Sequence, residues 1–394
     1  MQSVKRFNKE FLIDENMIYL DSATTGRLPK ESFEKMFSFI LECNGFPRGA
    51  THKLGICASK ALRKARESIS EFFKVNPKNL FFLPSIEVAL INNIFSHNWA
   101  EGEEIITSVA EEHSILAPIL KGSKKFGYSV TYLTLEDEKD IIKALKNKIT
   151  EKTKFVVLSA VTYIIGSKRD WRKILEVTKE KKVKFIFDIS KIVGHEPLYF
   201  KDECPDAVIF SSSVGALGLP GVAVQISKDE YIQEFDPVLV GSNSIRLMKK
   251  DEYELAAPSL KYEPGVPNLP GIIALAKSLE VLKKIGLEKI KEHENKLKKI
   301  IESKIKEDPN IETITLEGIE KGPIYTIQIK GFDPYDIAII LEDVGNIIVR
   351  AGSFCSHLLM DELEKENVLQ ISTHVYNTEE EINKLFETLK MLNE

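Results

Sequence analysis

The sequence predicts an α/β protein whose larger part is built on a mainly parallel, seven-stranded sheet and whose C-terminal part is a small α+β domain. Short apolar runs alternate with longer stretches of helical periodicity, which is the pattern of βαβ units. The chain has 394 residues, too many for one ordinary core, and 43% of them are apolar. Together these observations indicate two domains, one of them large.

The predicted strands of the large sheet are, in chain order, Leu80–Leu83, Glu104–Thr107, Val130–Leu133, Phe155–Leu158, Lys184–Phe187, Ala207–Phe210 and Val222–Ile226. Helices are predicted between them, for example over Ser59–Lys74, Ile115–Phe126 and Trp171–Lys181. Because strands and helices alternate, most neighbouring strands are expected to run parallel.

Four regions are predicted along the chain. Residues 1–15 form an N-terminal segment that packs on the small domain, residues 16–260 form the large domain, and residues 311–394 form the small domain. Residues 261–310 connect the two domains through a Pro/Gly-rich loop and a long helical tract that starts at Ile272. The small domain is expected to end in an amphipathic helix that starts near Thr378.

Composition excludes several classes of protein. A net charge of -5 leaves no basic excess for a nucleic-acid partner. No apolar run approaches the ~18 residues of a membrane span, and the N-terminus lacks the apolar core of a signal peptide. The four cysteines, Cys43, Cys57, Cys204 and Cys355, are too few and too scattered for a disulfide scaffold or a paired metal motif. We therefore expect a cytoplasmic protein, and the many lysines and glutamates are typical of thermophiles.

Five short motifs carry a resemblance to a known family. They are Ile18–Thr25 (Ile-Tyr-Leu-Asp-Ser-Ala-Thr-Thr), Arg48–His52, Glu263–Asn268 (Glu-Pro-Gly-Val-Pro-Asn), Val349–Cys355 (Val-Arg-Ala-Gly-Ser-Phe-Cys) and Val375–Thr378. In sequence and order they are similar to motifs of the class V aminotransferases, and of group II cysteine desulfurases in particular. The resemblance covers nearly the whole chain. It implies the fold type I of enzymes that depend on pyridoxal phosphate (PLP), and a dimer with active sites at the subunit interface.

The family's catalytic lysine has no counterpart in this sequence. The family reads Phe-Ser-Gly-His-Lys-x-x-Gly-Pro-x-Gly where this chain has Phe210 to Gly221. Matching Gly218 and Gly221 to the family glycines places Gly215 at the lysine and Val214 at the histidine. Glycine has no amine and cannot form an imine with PLP. We therefore expect no covalently bound cofactor, and PLP binding itself is doubtful.

The positions that surround the cofactor ring in the family are also changed. Asp188 matches the aspartate that pairs with the pyridine nitrogen, although a strand-end carboxylate that caps a turn is the alternative. Lys191 replaces a glutamine; it is either a migrated imine-forming lysine or an ordinary ion-paired lysine. Tyr163 replaces an asparagine that binds the cofactor oxygen. The ring-stacking histidine matches Glu112, with His113 beside it, and a shift of one residue would restore the histidine.

Several residues that bind the cofactor phosphate or the substrate in the family are also replaced in this sequence. Ser85 and Ser212 match residues of the phosphate site, and the alternative for Ser85 is a helix N-cap. Val266 replaces the threonine that the neighbouring subunit contributes. Gln370 replaces the arginine that binds the substrate carboxylate, and it carries no charge.

Cys355 matches the cysteine that carries the persulfide in the family, and Arg350 lies five residues before it. The alternative is an inert packing residue. His52 matches another active-site position. Cys355 together with His52, His357 and His374 contains the ligand types of a soft-metal site, but their spacing does not indicate one, so no metal is expected.

Three functional hypotheses remain open at this point. The chain is a pseudoenzyme that acts as a partner or a persulfide acceptor, alone as a homodimer or paired with a lysine-bearing paralogue. Alternatively it is an active enzyme that uses PLP or pyridoxamine phosphate with Lys191 or without a lysine. In the third hypothesis the pocket is refitted for a different ligand, with Glu112, Tyr163 and Lys191 as its polar groups.

Overall fold

A computed structural model describes residues 8–48 and 51–391, so Gly49 and Ala50 of the second motif lie outside it. In the described residues the strands, numbered β1 to β15, are Ile18–Tyr19, Leu80–Leu83, Glu104–Ser108, Ser129–Leu133, Thr153–Ser159, Lys184–Asp188, Ala207–Ser211, Ala223–Ser227, Ile245–Met248, Tyr253–Leu255, Ile311–Thr313, Ile324–Ile329, Ile347–Ile348, Arg350–Gly352 and Val368–Ser372.

The α-helices of the same residues, numbered α1 to α14, are Lys30–Cys43, Lys53–Phe73, Ile86–Phe95, His113–Phe126, Leu135–Lys139, Ile141–Lys148, Trp171–Glu180, Asp229–Glu234, Pro258–Lys261, Leu269–Ile285, Leu287–Glu307, Pro334–Gly345, His357–Glu362 and Glu379–Met391. Short 3₁₀ turns cover Asn8–Glu10 and Pro77–Asn79. None of these helices combines the length and the apolarity that crossing a membrane requires.

The large sheet has seven strands in the order β2-β8-β7-β6-β5-β3-β4. Strand β8 is antiparallel to both of its neighbours, and the other pairs are parallel. All seven are the predicted strands. Their centres are completely buried, as Phe155, Phe185 and Val208 illustrate, because helices cover both faces of a mainly parallel sheet. The predicted α/β fold with a mainly parallel seven-stranded sheet is confirmed.

The small domain contains a four-stranded antiparallel sheet in the order β11-β12-β15-β14. Its core of isoleucines and leucines packs against α11, α12 and α14. Strand β1 pairs in parallel with β13, through Ile18 and Ile347, and so ties the beginning of the described chain to this domain. Phe11, from the predicted N-terminal segment, is fully buried with its ring centroid 5.2 Å from that of Tyr376. Residues 1–7 of that segment lie outside the described chain.

Two helices differ from the sequence prediction. The helical tract from Ile272 is two helices, α10 and α11, because Gly286 between them adopts φ +100°, which glycine tolerates far better than other residues. Helix α2 begins six residues before the predicted Ser59, at Lys53. Nδ1 of the N-cap residue His52 accepts the Gly55 N–H at 3.3 Å. Histidine is an uncommon N-cap, so the sequence offered no clear start signal there.

Candidate functional site

A cavity of about 320 Å³ lies at the carboxyl ends of the parallel strands, where open α/β sheets place their ligands. Loops that follow β2, β3, β5, β6 and β7 form its floor and walls, and segments from near β1 and β14 close it. Its polar lining residues are Thr24, Ser85, Glu87, Glu112, Ser114, Tyr163, Ser190, Lys191, Ser211, Ser213, Arg350 and Cys355.

An ion pair between Lys191 and Glu112 dominates this cavity. Lys191 Nζ donates to Glu112 Oε1 at 2.7 Å, and the two side chains are 5% and 19% exposed. The ammonium also lies 4.3 Å from the centroid of the Tyr163 ring. Burial lowers the pKa of Lys191, but the carboxylates of Glu112 and Asp188 outweigh burial and raise it above its usual value. The ion pair with Glu112 therefore favours the protonated form of Lys191.

Asp188 ends β6 and lies behind the cavity wall rather than in the lining. Its Oδ1 accepts the backbone N–H of Ser190 at 2.9 Å and the Ser190 hydroxyl at 2.5 Å. Burial raises the pKa of Asp188 to about 6, although Lys191 and the two Ser190 hydrogen bonds oppose the increase. The carboxyl caps its own turn, which was one of the two alternatives for this residue.

A hydrogen-bonded chain connects the large domain to β14 across the cavity. The Tyr163 hydroxyl and Thr24 Oγ1 are 2.8 Å apart, and Arg350 Nη1 donates to the same Thr24 oxygen at 2.8 Å. Sequence reasoning placed Tyr163 and Arg350 at the site but missed Thr24. Thr24 stands within the Ile18–Thr25 motif, which was the available signal.

Gln370 lies outside the cavity, contrary to its assignment to a substrate pocket. It is opposite Arg350 in the β14–β15 pair and is 1% exposed. Its Nε2 donates to the Tyr163 carbonyl at 2.7 Å, while Oε1 is buried without a hydrogen-bond partner among the described residues. Gln370 supports the cavity wall from behind because its amide is used to hold the Tyr163 backbone.

Of the two serines expected at the phosphate site, Ser85 lines the cavity and Ser212 does not. Ser85 lines the cavity and is the N-cap of α3, with its Oγ accepting the Val88 N–H at 3.5 Å. Ser212 is fully buried, and its hydroxyl donates to the Leu219 carbonyl, so it does not reach the cavity. The cavity instead contains Ser211 and Ser213, whose hydroxyl oxygens are 3.2 Å apart. Only Ser211 belongs to β7; Ser212 and Ser213 lie in the turn that follows, and this turn places the Ser213 hydroxyl at the cavity beside that of Ser211.

Val214 rather than Gly215 lines the cavity after β7. A Cβ added at Gly215 would lie 2.2 Å from the Val193 carbonyl oxygen and 3.0 Å from that of Ser190. A side chain at Gly215 would therefore run into backbone and not into the cavity. Reading the family motif without a gap from Phe210 also places Val214 at the lysine. The match of Gly215 to the family's lysine is therefore corrected, because Val214 is the residue that lines the cavity. Neither glycine nor valine carries an amine.

Glu112 and His113 occupy different surroundings although they are adjacent. Glu112 lines the cavity at the N-terminus of α4, whereas His113 is outside the lining. The His113 N–H donates to the Cys355 carbonyl at 2.9 Å, and its ring centroid is 4.8 Å from that of His357. A carboxylate, and not an imidazole, therefore faces the cavity from this loop.

Cys355 is exposed at the rim of the cavity and is a free thiol. Both Phe354 and Cys355 adopt left-handed backbone conformations, with φ of +54° and +55°. Non-glycine residues in this region cost roughly 1–3 kcal/mol each, and such residues concentrate at functional sites. The guanidinium of Arg350 lies 5.4 Å from the Phe354 ring centroid, so the same loop carries a cation beside the thiol-bearing segment.

The other cysteines and histidines are placed elsewhere. Cys43 and Cys57 form a disulfide between α1 and α2, although no disulfide was expected from so few cysteines. The sequence separation of 14 residues carried no signal of the proximity that helix packing creates. His52 is exposed at the N-terminus of α2 and does not line the cavity. The potential ligands His52, Cys355, His357 and His374 form no cluster in the described chain. His374 instead lies with His195 and Glu294, a group that sequence reasoning missed.

Comparisons with known proteins agree with this architecture. The family model for aminotransferase class V matches residues 18–385. A probable cysteine desulfurase from Pyrococcus abyssi is 26% identical over 98% of this chain and 96% of its own length. Another, from Halalkalibacterium halodurans, is 28% identical over 96% of this chain and 93% of its own.

Among solved structures, the apo cysteine desulfurase from Thermococcus onnurineus superimposes with a TM-score of 0.92 at 25% identity, and the match covers 98% of this chain and 96% of that one. The fold is therefore the type I fold of PLP-dependent enzymes. With the family match over most of its length, the chain belongs to the class V aminotransferase family, which includes cysteine desulfurases.

Proposed function

We propose that this protein is a cysteine desulfurase-like member of its family that forms no imine with PLP and acts in sulfur transfer through Cys355. The observation that carries the proposal is the ion pair of Lys191 with Glu112, in a cavity where no other lysine of the described chain is found. Imine formation requires a neutral amine. At this site the amine is buried, charged and paired.

The rest of the cavity supports the same conclusion. The Glu112 carboxylate faces the space where the family stacks a histidine on the cofactor ring, and a carboxylate is repelled by the electron-rich face of an aromatic ring. Asp188 is tied to Ser190 and is absent from the lining. Ser85, Ser211, Ser213 and the N-terminus of α3 can accommodate an anion. The residues present therefore fit a phosphate group but do not fit a lysine-bound PLP.

Cys355 has the exposure and the nearby positive charge that a sulfur carrier needs. Its side chain is exposed at the mouth of the cavity, on a loop that neighbours Arg350. We propose that the Cys355 thiolate attacks the outer sulfur of a donor persulfide. A new S–S bond forms at Cys355 while the donor's S–S bond breaks and leaves a donor thiolate. One sulfur atom moves between two thiols with no net oxidation, so no other reactant is required.

A second candidate function is an active PLP enzyme that uses Lys191. It is favoured by one observation, the position of Lys191 Nζ inside the cavity. For this enzyme to work, Glu112 must release the ammonium when the cofactor enters. A third possibility, a pocket refitted for a different small ligand, is supported by the polar chain of Tyr163, Thr24 and Arg350.

We also propose that the protein works as a dimer. Helix α1 exposes Phe33, Phe37 and Leu41, which are 44%, 51% and 68% exposed, and Val266 of the Pro/Gly-rich loop is 61% exposed. Such a surface is typical of an interface. The partner is a second copy or a lysine-bearing paralogue. Light scattering tests the homodimer, and a monomer at micromolar concentration would favour the paralogue.

We also propose a cytoplasmic location. The Cys43–Cys57 disulfide has to be compatible with this location, because disulfides depend on the redox state of the compartment. Cytosolic disulfides are rare in mesophiles, whereas hyperthermophiles use them widely. The lysine- and glutamate-rich composition is consistent with that setting.

Two measurements test the central proposal. Purified protein is incubated with PLP, reduced with borohydride and mapped by peptide mass spectrometry, with Lys191→Met as the matched control. We expect no stoichiometric adduct on the wild type. An adduct on Lys191, absent from the control, would establish the second candidate function instead.

The second measurement follows Cys355 with a thiol probe at neutral pH, and the half-buried Cys204 of the same chain serves as the internal control. Burial raises the pKa of Cys204 to about 12, so its thiolate is scarce. We expect Cys355 to label faster than Cys204 and to gain 32 Da from a small-molecule persulfide donor. Cys355→Ser should lose both signals. Equal labelling of the two cysteines would overturn the role of Cys355.

A further inference from the structure

A polar cluster outside the cavity contains His195, Glu294 and His374. The three side chains come from different parts of the chain: the loop after β6, helix α11 and the loop after β15. They are 5%, 9% and 0% exposed. Burying two imidazoles and a carboxyl group costs free energy unless each group is hydrogen bonded, paired or bound to a metal.

The potential ligand atoms converge on one point. His195 Nδ1 is 2.9 Å from both carboxylate oxygens of Glu294, and His374 Nδ1 is 3.8 Å from Glu294 Oε1. All three ligand atoms lie within 4.8 Å of one another. Small movements bring such atoms to the 2.0–2.2 Å bonds that zinc makes with imidazole nitrogen and carboxylate oxygen.

The surroundings of His374 prepare it to bind through Nδ1. Its Nε2 donates to the Gly215 carbonyl at 3.0 Å, so the hydrogen is on Nε2 and the lone pair is on Nδ1. Metal-binding histidines commonly donate their second nitrogen to a carbonyl in this way. The Val375 N–H also lies 2.7 Å from Nδ1, and a metal ion has to take the place of this hydrogen bond.

We propose that His195, Glu294 and His374 bind one divalent transition-metal ion, of which zinc suits a set of two imidazoles and one carboxylate. A cavity of about 40 Å³ adjoins His195 and Glu294, and this volume is sufficient for a water molecule as the fourth ligand. The ion would join α11 of the interdomain region to loops of both domains. Through Gly215 it would also hold the segment that carries Val214, so its role is structural.

Charged side chains around the 40 Å³ cavity affect the rate at which a metal ion reaches the cluster. Lys168, Lys291 and Lys298 line it, and Glu196 and Glu320 pair with some of them. These lysines repel a cation that approaches the folded protein. We therefore expect slow loading of the folded protein and efficient loading during refolding.

The test uses full-length protein that is unfolded with chelator and refolded with or without Zn²⁺. We expect one zinc per chain by elemental analysis after desalting, and a melting temperature that rises with zinc concentration. Co²⁺ provides an optical probe, because its visible absorption reports nitrogen and oxygen ligands in a low-coordinate site.

Glu294→Gln keeps the shape of the side chain and should weaken zinc binding at least about tenfold. His195→Gln is the second variant, in case Glu294→Gln fails to fold. His293→Gln is the matched control, since His293 is adjacent on α11 and bonds to the Asn377 carbonyl. Cys355→Ser controls for zinc on the exposed thiol. Zinc-free wild type after refolding, or full zinc binding by both cluster variants, would overturn the proposal and leave a hydrogen-bonded cluster.

Discussion

Glu111 and Glu112 are adjacent in the sequence, yet they belong to two charge clusters of different character. Glu111 and Glu138 bind Arg169, and the three side chains are at most 2% exposed. Arg169 Nε and Nη2 form a two-pronged contact with Glu138, at 3.0 and 2.5 Å. Glu112 instead pairs with Lys191 at the wall of a cavity and is 19% exposed.

The difference in burial indicates that the two clusters have different roles, one in stability and one at the candidate site. Arg169 and its two glutamates are almost completely buried, and the cluster also holds the end of β5, since Glu111 accepts the Ser159 N–H at 3.0 Å. The Lys191–Glu112 pair borders open space, so a ligand with a suitable charge can compete for either partner. The Arg169 cluster therefore stabilises the fold, whereas the Lys191–Glu112 pair borders the candidate site.

The largest effect is expected for Arg169→Met. It leaves two carboxylates buried without their cation, and breaking a buried ion pair in this way costs about 3–5 kcal/mol of unfolding free energy. Urea denaturation measures the loss. Lys139→Met is the matched control because Lys139 pairs with Glu136 on the surface, where the loss is about 0–0.5 kcal/mol. Equal losses would mean that the two clusters do not differ as described.

Asp188→Asn should change the pH dependence of stability by on the order of 1–3 kcal/mol. Burial raises the pKa of Asp188 from 3.8 to about 6, so between these values the folded state binds the proton and the unfolded state does not. The stabilising contribution of the protonated group is complete below pH 3.8 and is lost as the pH rises through 6. Wild type should therefore lose stability relative to Asp188→Asn between pH 4 and pH 7. Parallel curves in urea titrations would contradict this.

Glu112→Gln tests whether the pair keeps Lys191 unreactive. The amide can still accept a hydrogen bond but no longer stabilises the cation, so the pKa of Lys191 should fall and about 1–2 kcal/mol of stability should be lost. Borohydride trapping with a small aldehyde should then modify Lys191 in the variant more than in the wild type. Glu87→Gln is the control because Glu87 lines the same cavity, whereas the carboxylate that pairs with Lys191 is that of Glu112. Equal modification in all three proteins would show that Glu112 does not protect the amine.

Tyr163→Phe should have the smallest effect. It removes the hydroxyl that bonds to Thr24 but retains the ring beneath Lys191, so a loss of about 0.5–1.5 kcal/mol is expected from one hydrogen bond. Thermal unfolding provides the measurement. A loss comparable to that of Arg169→Met would place Tyr163 among the supports of the fold.

The positions of the strands and the family followed from the sequence because they depend on local signals. Apolar runs such as Phe185–Phe187 mark strands that are buried on both faces, and glycines such as Gly218 and Gly221 fall at turns where few other residues fit. The motif around Cys355 likewise predicted a loop at the cavity, and it lines the cavity.

Side-chain direction was harder to predict where the chain leaves β7 and turns, because the direction of each side chain in residues 212–216 depends on the geometry of that turn. This is why Ser211 and Ser213 replaced Ser212 at the cavity, and Val214 replaced Gly215. The alignment gap that matched the glycines shifted this segment by one residue. Gln370 was misplaced for a related reason: its partner across the sheet could not be read from the chain.

The sequence by itself determined the α/β architecture and the family, because each depends on residue identity and spacing. Tertiary structure decided which partners the remaining charged and polar groups have. Lys191 and Glu112 are 79 residues apart, and His374 lies 159 residues from the carbonyl that orients it. Such contacts arise only when strands and helices are packed, and they determine whether an amine is free, a carboxyl group is ionised or three ligands meet.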